Sequence, residues 1–286
     1  MKSQTEKETD LKLIIQMYLS FIIGIIIIGF SGYAEISQEW VIIPDKVYLY
    51  NEPDFSKRTK IEILGYPRTV VDISELESLQ VHSETRWVKI LHRQNYYFLP
   101  KAQLVKKVPW SELEGNFSIG KEKIDRWNPL PLNYKPDDLI KIPQKWNYHN
   151  QEYPKYLRSE TARMLLEMLT AAERKNIHIR VVSDFRSALD QRRLYLRKIN
   201  QAGLDQMLVA KPGHSEHQLG TTVDLSGLDP DYVLKPEFER TKEGQWLQEY
   251  AGSYGFIQSY TEKNAKETGY SPEPWHFRYI GNNISD

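Results

Sequence analysis

The chain reads as an α+β protein. A small antiparallel-sheet domain with packed helices forms its C-terminal half, preceded by a small all-β barrel and, before that, an apolar N-terminal helix. Three observations predict this. After residue 154, helix-period and strand-period segments follow one another in mixed order, which favours helices on a mostly antiparallel sheet. Residues 40–106 show short alternating runs separated by turn residues. Leu13–Phe30, LIIQMYLSFIIGIIIIGF, holds no charged residue and approaches the roughly 20 residues that span a bilayer as a helix.

The N-terminal segment sets the topology. Lys2, Lys7 and Lys12 precede the apolar run, and no Lys or Arg follows it until Lys46. The positive-inside bias makes 1–12 a cytoplasmic tail and 13–30 a transmembrane anchor, with the rest of this single-pass protein outside the cell membrane. Gly32-Tyr33-Ala34 also offers a small-x-small cleavage site, so a cleaved signal is the competing reading. The anchor is preferred because the apolar run is long for a signal core and the preceding charges are mixed.

In 40–106 the runs Val47–Pro53, Lys60–Gly65, Thr69–Ile73, Arg86–Leu91 and Tyr96–Pro100 read as strands. Residues 107–126 form a linker, and the wider stretch Val108–Pro154 carries Pro109, Pro129, Pro131, Pro136, Pro143 and Pro154, which exclude a long helix. The domain 127–286 follows. Leu157–Lys175 is a helix with Ala162, Leu165, Leu166, Leu169 and Ala172 on one face. Ile177–Phe185 is a strand, Ser187–Gly203 a helix closed by its glycine, and Thr221–Gly227 a strand. Thr241–Tyr254 is a helix ended at Gly255, and Trp275–Gly281 the last strand.

Composition excludes several chemistries. The 38 Lys and Arg match the 38 Asp and Glu, so no charge excess argues for nucleic acid. Cysteine is absent, which removes disulfides, thiolate metal sites and cysteine nucleophiles. The 7 Trp and 18 Tyr suit carbohydrate or peptide surfaces and ordinary cores equally.

The stretch PGHSEHQLGTTVDL, Pro212–Leu225, carries the chemistry. His217 and Asp224 lie seven residues apart with Gly220 between them, a spacing that lets the chain turn and bring both side chains to one metal. His276 in EPWHFRY is the candidate third ligand, with Glu273 three residues before it as a candidate general base. This is not the helical HExxH arrangement, because Pro274 separates Glu273 from His276 and no HExxH occurs. Taken singly, each of these residues has a structural explanation; together they favour a metal. His214 reads as a solvent-exposed loop histidine, and Arg278 as either a substrate contact or one half of a structural ion pair.

With these residues in view, SEHQLGTTVD resembles the S-x-H-x-x-G-x-x-x-D motif of zinc D,D-carboxypeptidases of the VanY type, a family that includes D,D-dipeptidases and L,D-carboxypeptidases. EPWHFRYIG resembles the family's closing E-x-W-H motif, SDFRSALDQ its S-x-Y/F-R-S-x-x-x-Q segment and NPLPLNYKPDDLIKI its entry segment. The resemblance covers about Trp127 to Gly281. It implies that His217, Asp224 and His276 hold Zn²⁺ and that Glu273 is general base toward the metal-activated water and then acid toward the leaving amine. It further implies that Arg186 stabilises the oxyanion and that Ser215 and Gln191 contact substrate. An ion pair of Arg186 with Asp184 or Asp190 is the structural alternative for that residue. Thr222 stands where the family's motif has a small Ala. The strands of 40–106 loosely resemble a bacterial SH3-like domain, which implies either wall-peptide binding or a plain spacer.

The expected activity is hydrolysis of the terminal D-Ala-D-Ala bond of peptidoglycan stem peptides by a zinc metallopeptidase. L,D-carboxypeptidase or peptidoglycan endopeptidase specificity is the alternative within the family. A non-catalytic cell-wall-binding protein would require loss of a ligand, the base or Arg186, and all are present.

Overall fold

Alternation of apolar and polar residues draws the first part of the chain into strands. In the computed structural model, which describes residues 39–66, 70–72, 87–112, 119, 122–148 and 153–281, these are β1 (Glu39–Ile42), β2 (Lys46–Tyr50), β3 (Arg58–Leu64), β4 (Val70–Asp72), β5 (Trp87–His92), β6 (Asn95–Pro100) and β7 (Leu104–Lys106). They form two small sheets, ordered β4-β1-β7 and β3-β2-β6-β5, with antiparallel pairings. The module is therefore all-β. The apolar run at 13–30, with the anchor and cleavage-site expectations placed on it, lies outside the described residues. Among the described residues no helix is long and apolar enough to cross a membrane.

Strand β1 serves two cores, because successive side chains leave opposite faces of a strand. Trp40 and Ile42 pack with Val47, Leu49, Val88, Ile90 and Leu99 inside the module. Val41 and Ile43 face the other way and meet Tyr195 and Ile199 of a helix in the second half of the chain. Polar ties reinforce this seam. Arg192 donates through Nε to the Ile43 carbonyl at 2.5 Å and through Nη2 to Asp45 at 2.6 Å. Tyr195 donates its hydroxyl to the Ala102 carbonyl at 2.8 Å.

The second half begins with a short antiparallel pair, β8 (Leu139–Lys141) and β9 (Tyr156–Arg158). Helix α1 (Ser159–Arg174) buries Ala162, Leu165, Met168, Leu169 and Ala172, close to the predicted face. Strand β10 (Arg180–Ser183) leads to α2 (Ala188–Ala202), whose start is capped by Ser187 accepting from the Asp190 amide. Strand β11 (Thr222–Ser226), α3 (Lys242–Tyr250), β12 (Phe256–Gln258), the one-turn α4 (Ala265–Thr268) and β13 (His276–Tyr279) complete the order. The sheet runs β10-β11-β13-β12 with every pairing antiparallel, as the mixed order of elements predicts. Strand β12 goes unread in the sequence: three residues carry too little periodicity to show. Residues 122–148 pack onto this domain: the Leu130 amide donates to the Gly213 carbonyl, and the Asp125 carbonyl accepts from the His214 ring.

Gly220 is where the turn before β11 reverses. Its φ of +72° lies in the left-handed region, and a Cβ there would approach Leu139 Cδ2 at 3.0 Å and Arg158 Cγ at 3.1 Å. Replacing Gly220 by Ala combines backbone strain with crowding. It should destabilise the fold by about 1–3 kcal/mol, read as a lowered midpoint in calorimetric unfolding. An unchanged midpoint would show that the turn relaxes at no cost.

Candidate metal centre

The site lies on one face of the central sheet. In TVDLS and HFRY the residues alternate, so Val223, Leu225, Phe277 and Tyr279 enter the core. Asp224, His276 and Arg278 take the opposite face. Asp224 and His276 are directly opposed in the β11–β13 register, which places their side chains side by side. His217 comes from the one-turn 3₁₀ segment Glu216–Leu219, swung back over the strand by Gly220. The ligating atoms of His217, Asp224 and His276 all lie within 4.8 Å of one another, and all three residues are buried.

Neighbours decide which nitrogen each histidine presents. His217 Nδ1 lies 2.8 Å from the Asp184 carbonyl, which can only accept, so Nδ1 carries the hydrogen and Nε2 is left with its lone pair, 3.2 Å from Asp224. His276 Nε2 lies 3.0 Å from Glu216, so it donates there, and Nδ1 is left 3.0 Å from Asp224. Two lone pairs and a carboxylate thus converge, the donor set of a divalent metal with nitrogen and oxygen ligands.

The electrostatics agree. Burial lowers the pKa of His217, which keeps it neutral as a ligand must be. Burial also disfavours charge on His276, but hydrogen bonds to Asp224 and Glu216 outweigh it and raise this histidine to about 10. A proton held that firmly marks a place where the carboxylates require a cation. Burial opposes ionisation of Asp224, yet its interactions with His217 and His276, hydrogen bonds from both among them, hold it well below the usual range.

Glu273 completes the cluster. Its Oε2 lies 3.5 Å from His276 Nδ1, and its side chain is 25% exposed against 4–8% for the three ligand candidates, so it is the member that a reactant can reach. Burial, with Asp224 adding to the effect, raises it to about 7. Arg186 is fastened beside His217 by its backbone N–H, which donates to the His217 carbonyl at 3.1 Å. Its guanidinium donates to Gln191 at 2.8 Å, and among the described residues it forms no ion pair with Asp184 or Asp190. Gln191 in turn donates to the Ala210 carbonyl at 2.7 Å and is 1% exposed, so it sits behind Arg186 and bears on a substrate through it. Ser215 is buried at the start of the 3₁₀ turn without using its hydroxyl as a cap.

One expectation needs correction. His214 is not a solvent-exposed loop residue: it is 8% exposed, with Nδ1 3.0 Å from the Asp125 carbonyl, because residues 122–130 fold over the motif. Of the two readings of Arg278 the structural ion pair is the one found, with Nη1 2.9 Å from Glu216 and Nη2 2.9 Å from Glu122. Glu216 is a site residue that the sequence does not reveal. A carboxylate between two motif residues carries no signal of its own until the turn geometry shows which way it points. Thr222 is fully buried opposite Arg278, and among the described residues its hydroxyl finds no hydrogen-bond partner.

An antiparallel sheet presenting two histidines and an aspartate beside a carboxylate of raised pKa defines a hydrolase built to hold one divalent metal. Comparison with known proteins identifies which. The VanY family, D-alanyl-D-alanine carboxypeptidase, matches residues 154–282. The chain is 31% identical over 210 residues to the putative carboxypeptidase YodJ of Bacillus subtilis, covering 72% of this chain and 77% of that one. It is 34% identical over 162 residues to the bifunctional D-Ala-D-Ala dipeptidase and D-Ala-D-Ala carboxypeptidase VanXYC of Enterococcus gallinarum, covering 55% and 82%. Among solved structures, the LdcB LD-carboxypeptidase superposes with a TM-score of 0.52 at 34% identity, covering 56% of this chain and 76% of that one. The chain belongs to the VanY family of D-alanyl-D-alanine carboxypeptidases.

Because Glu216 selects the tautomer of His276, replacing Glu216 by Gln should weaken divalent-metal affinity by roughly 10- to 100-fold. Competition against a chromophoric chelator measures it. Unaltered affinity would mean that His276 is oriented by the sheet alone.

Proposed function

We propose that this protein is a zinc-dependent D,D-carboxypeptidase that removes the terminal D-alanine from peptidoglycan stem peptides. The observation that carries the reading is the convergence of His217 Nε2, Asp224 and His276 Nδ1 within 4.8 Å, with Glu273 beside them. The family relationship supplies the substrate: its model is D-alanyl-D-alanine carboxypeptidase, and VanXYC acts on D-Ala-D-Ala.

Zinc bound by these residues supplies Lewis acidity toward the scissile carbonyl and lowers the pKa of water. The chain's own residues do the rest. Glu273, poised near 7, accepts a proton from the attacking water and returns it to the departing amine. Arg186, pinned by Gln191, offers a permanent positive charge to the oxygen that becomes negative as the carbonyl carbon turns tetrahedral. Asp184 and Glu216 hold the two imidazoles in register throughout.

A second reading, cleavage of a tetrapeptide as an L,D-carboxypeptidase, is favoured by the likeness to the LdcB LD-carboxypeptidase. The charge pattern around 13–30 and a wall substrate support an extracytoplasmic catalytic domain on a membrane anchor. The SH3-like character of the β module and its engagement with the wall belong to the same reading.

The test is incubation of the zinc-loaded protein with a pentapeptide ending in D-Ala-D-Ala and, separately, with the corresponding tetrapeptide, followed by mass spectrometry. Loss of one alanine from the pentapeptide alone is expected; loss from the tetrapeptide moves the assignment to L,D. Replacing Glu273 by Ala should lower kcat by roughly 100- to 10,000-fold while zinc stoichiometry stays at that of the parent. Full activity in that variant would remove Glu273 from the mechanism.

A further inference from the structure

Where the β module meets the peptidase domain there is a cavity of about 800 Å³. Its lining has a marked charge imbalance. Lys101 and Lys106 come from the module, Arg126 from the segment that crosses between the halves, and Lys211 from the loop that leads into the metal motif. The one carboxylate among the lining residues is Asp205. None of the four cations forms an ion pair among the described residues. Lys211 donates to two carbonyls of the module, Lys101 O and Leu104 O, each at 2.8 Å, and Arg126 donates to the Gly269 carbonyl at 3.0 Å. Burial lowers Lys211 to about 7, and its charged neighbours Lys101 and Arg126 push in the same direction. Four cations gathered in one recess against a single carboxylate is an arrangement that receives anions.

Two tyrosine rings link the wall of the cavity to the metal centre. Tyr270, part of its wall, donates to the His214 carbonyl at 3.2 Å and packs on Tyr260 with ring centroids 5.0 Å apart. Tyr260 in turn stacks on His276 at 4.6 Å. The volume is that of a ligand of several residues, within the roughly 300–1,000 Å³ of small-molecule sites, and far exceeds what a single departing alanine needs. Trp127 and Tyr270 give the lining apolar surface as well, suited to the stems and methyl groups of a peptide.

We infer that this cavity binds the upstream part of the substrate peptide as an acidic chain, with Lys101, Lys106, Arg126 and Lys211 receiving carboxylates that precede the scissile bond. The inference rests on the carboxypeptidase reading for the identity of the peptide. It makes the β module a part of substrate recognition through residues of its own.

Two synthetic peptides ending in D-Ala-D-Ala test it with the zinc-loaded full chain: one with two free carboxylates upstream, the other with both as carboxamides. The parent protein should show a KM about tenfold or more lower for the acidic peptide, a preference that added salt erodes. The double variant Lys101→Gln/Lys106→Gln should lose that preference by raising KM for the acidic peptide, with kcat unchanged and the amidated peptide unaffected. Each single variant should fall between, so that one misfolded protein does not decide the matter. Equal KM for the two peptides in the parent, or equal change for both in the variants, overturns the inference. Should neither peptide be cleaved, the carboxypeptidase reading fails separately. Fluorescence anisotropy of the labelled, uncut acidic peptide then decides the cavity: binding lost in the double variant supports it, and binding equal to that of the amidated peptide overturns it.

Discussion

Asp224 is a 5% exposed carboxylate set between two imidazoles, and such a group is stable only against a cation. Glu122 and Glu216 share the guanidinium of Arg278, which leaves the metal as the cation held directly against Asp224. Hydrogen bonding then determines where the ion goes: the Asp184 carbonyl and Glu216 each occupy one nitrogen of a histidine and turn the other toward Asp224. The position of Arg278 follows from the same demand. A guanidinium between two buried carboxylates is one of few ways to hold Glu216 charged, and Glu216 must be charged to fix His276.

Half of this site is legible in the sequence because strand alternation is a local rule. HFRY places histidine and arginine on one face and two aromatic residues on the other, and TVDLS does the same for Asp224. Once both segments are read as strands, facing residues can be proposed from period alone. The glycine after His217 marks the turn that brings the third ligand over. What could not be read are contacts made by chain reversal. Glu122 reaches Arg278 across 156 positions, and Asp125 covers His214 across 89, from a proline-rich stretch with no periodicity to reveal its packing. The burial of His214 and one of the two ion pairs of Arg278 come from this segment.

The β strands at 40–106 are likewise visible as alternation, but their placement is not. Val41 and Ile43 look like ordinary inward residues of a small barrel. Only the structure shows that one side of β1 belongs to the module and the other to helix α2. A strand that is apolar on both faces is the sequence trace of such a seam, and the run WVII at Trp40–Ile43 carries it.

That seam reaches the catalytic residues through α2. Gln191 and Arg192 are consecutive on the helix: the first accepts from Arg186, the second donates to Ile43 and Asp45 of the module, and Tyr195 bonds Ala102 one turn further on. The Arg192–Asp45 ion pair adds little by itself, since Asp45 is 84% exposed. The apolar part of the seam is different, for Tyr195 and Ile199 are 3% and 8% exposed in a cluster with Val41, Ile43 and Val105 of the module. Two turns of helix are stiff on the scale of a hydrogen bond. Anything that shifts the module against α2 therefore moves the anchor of Arg186, and a charge aimed at a developing oxyanion loses value steeply with displacement. The module is thus placed where it can set the precision of the oxyanion cation as well as the shape of the cavity beside it.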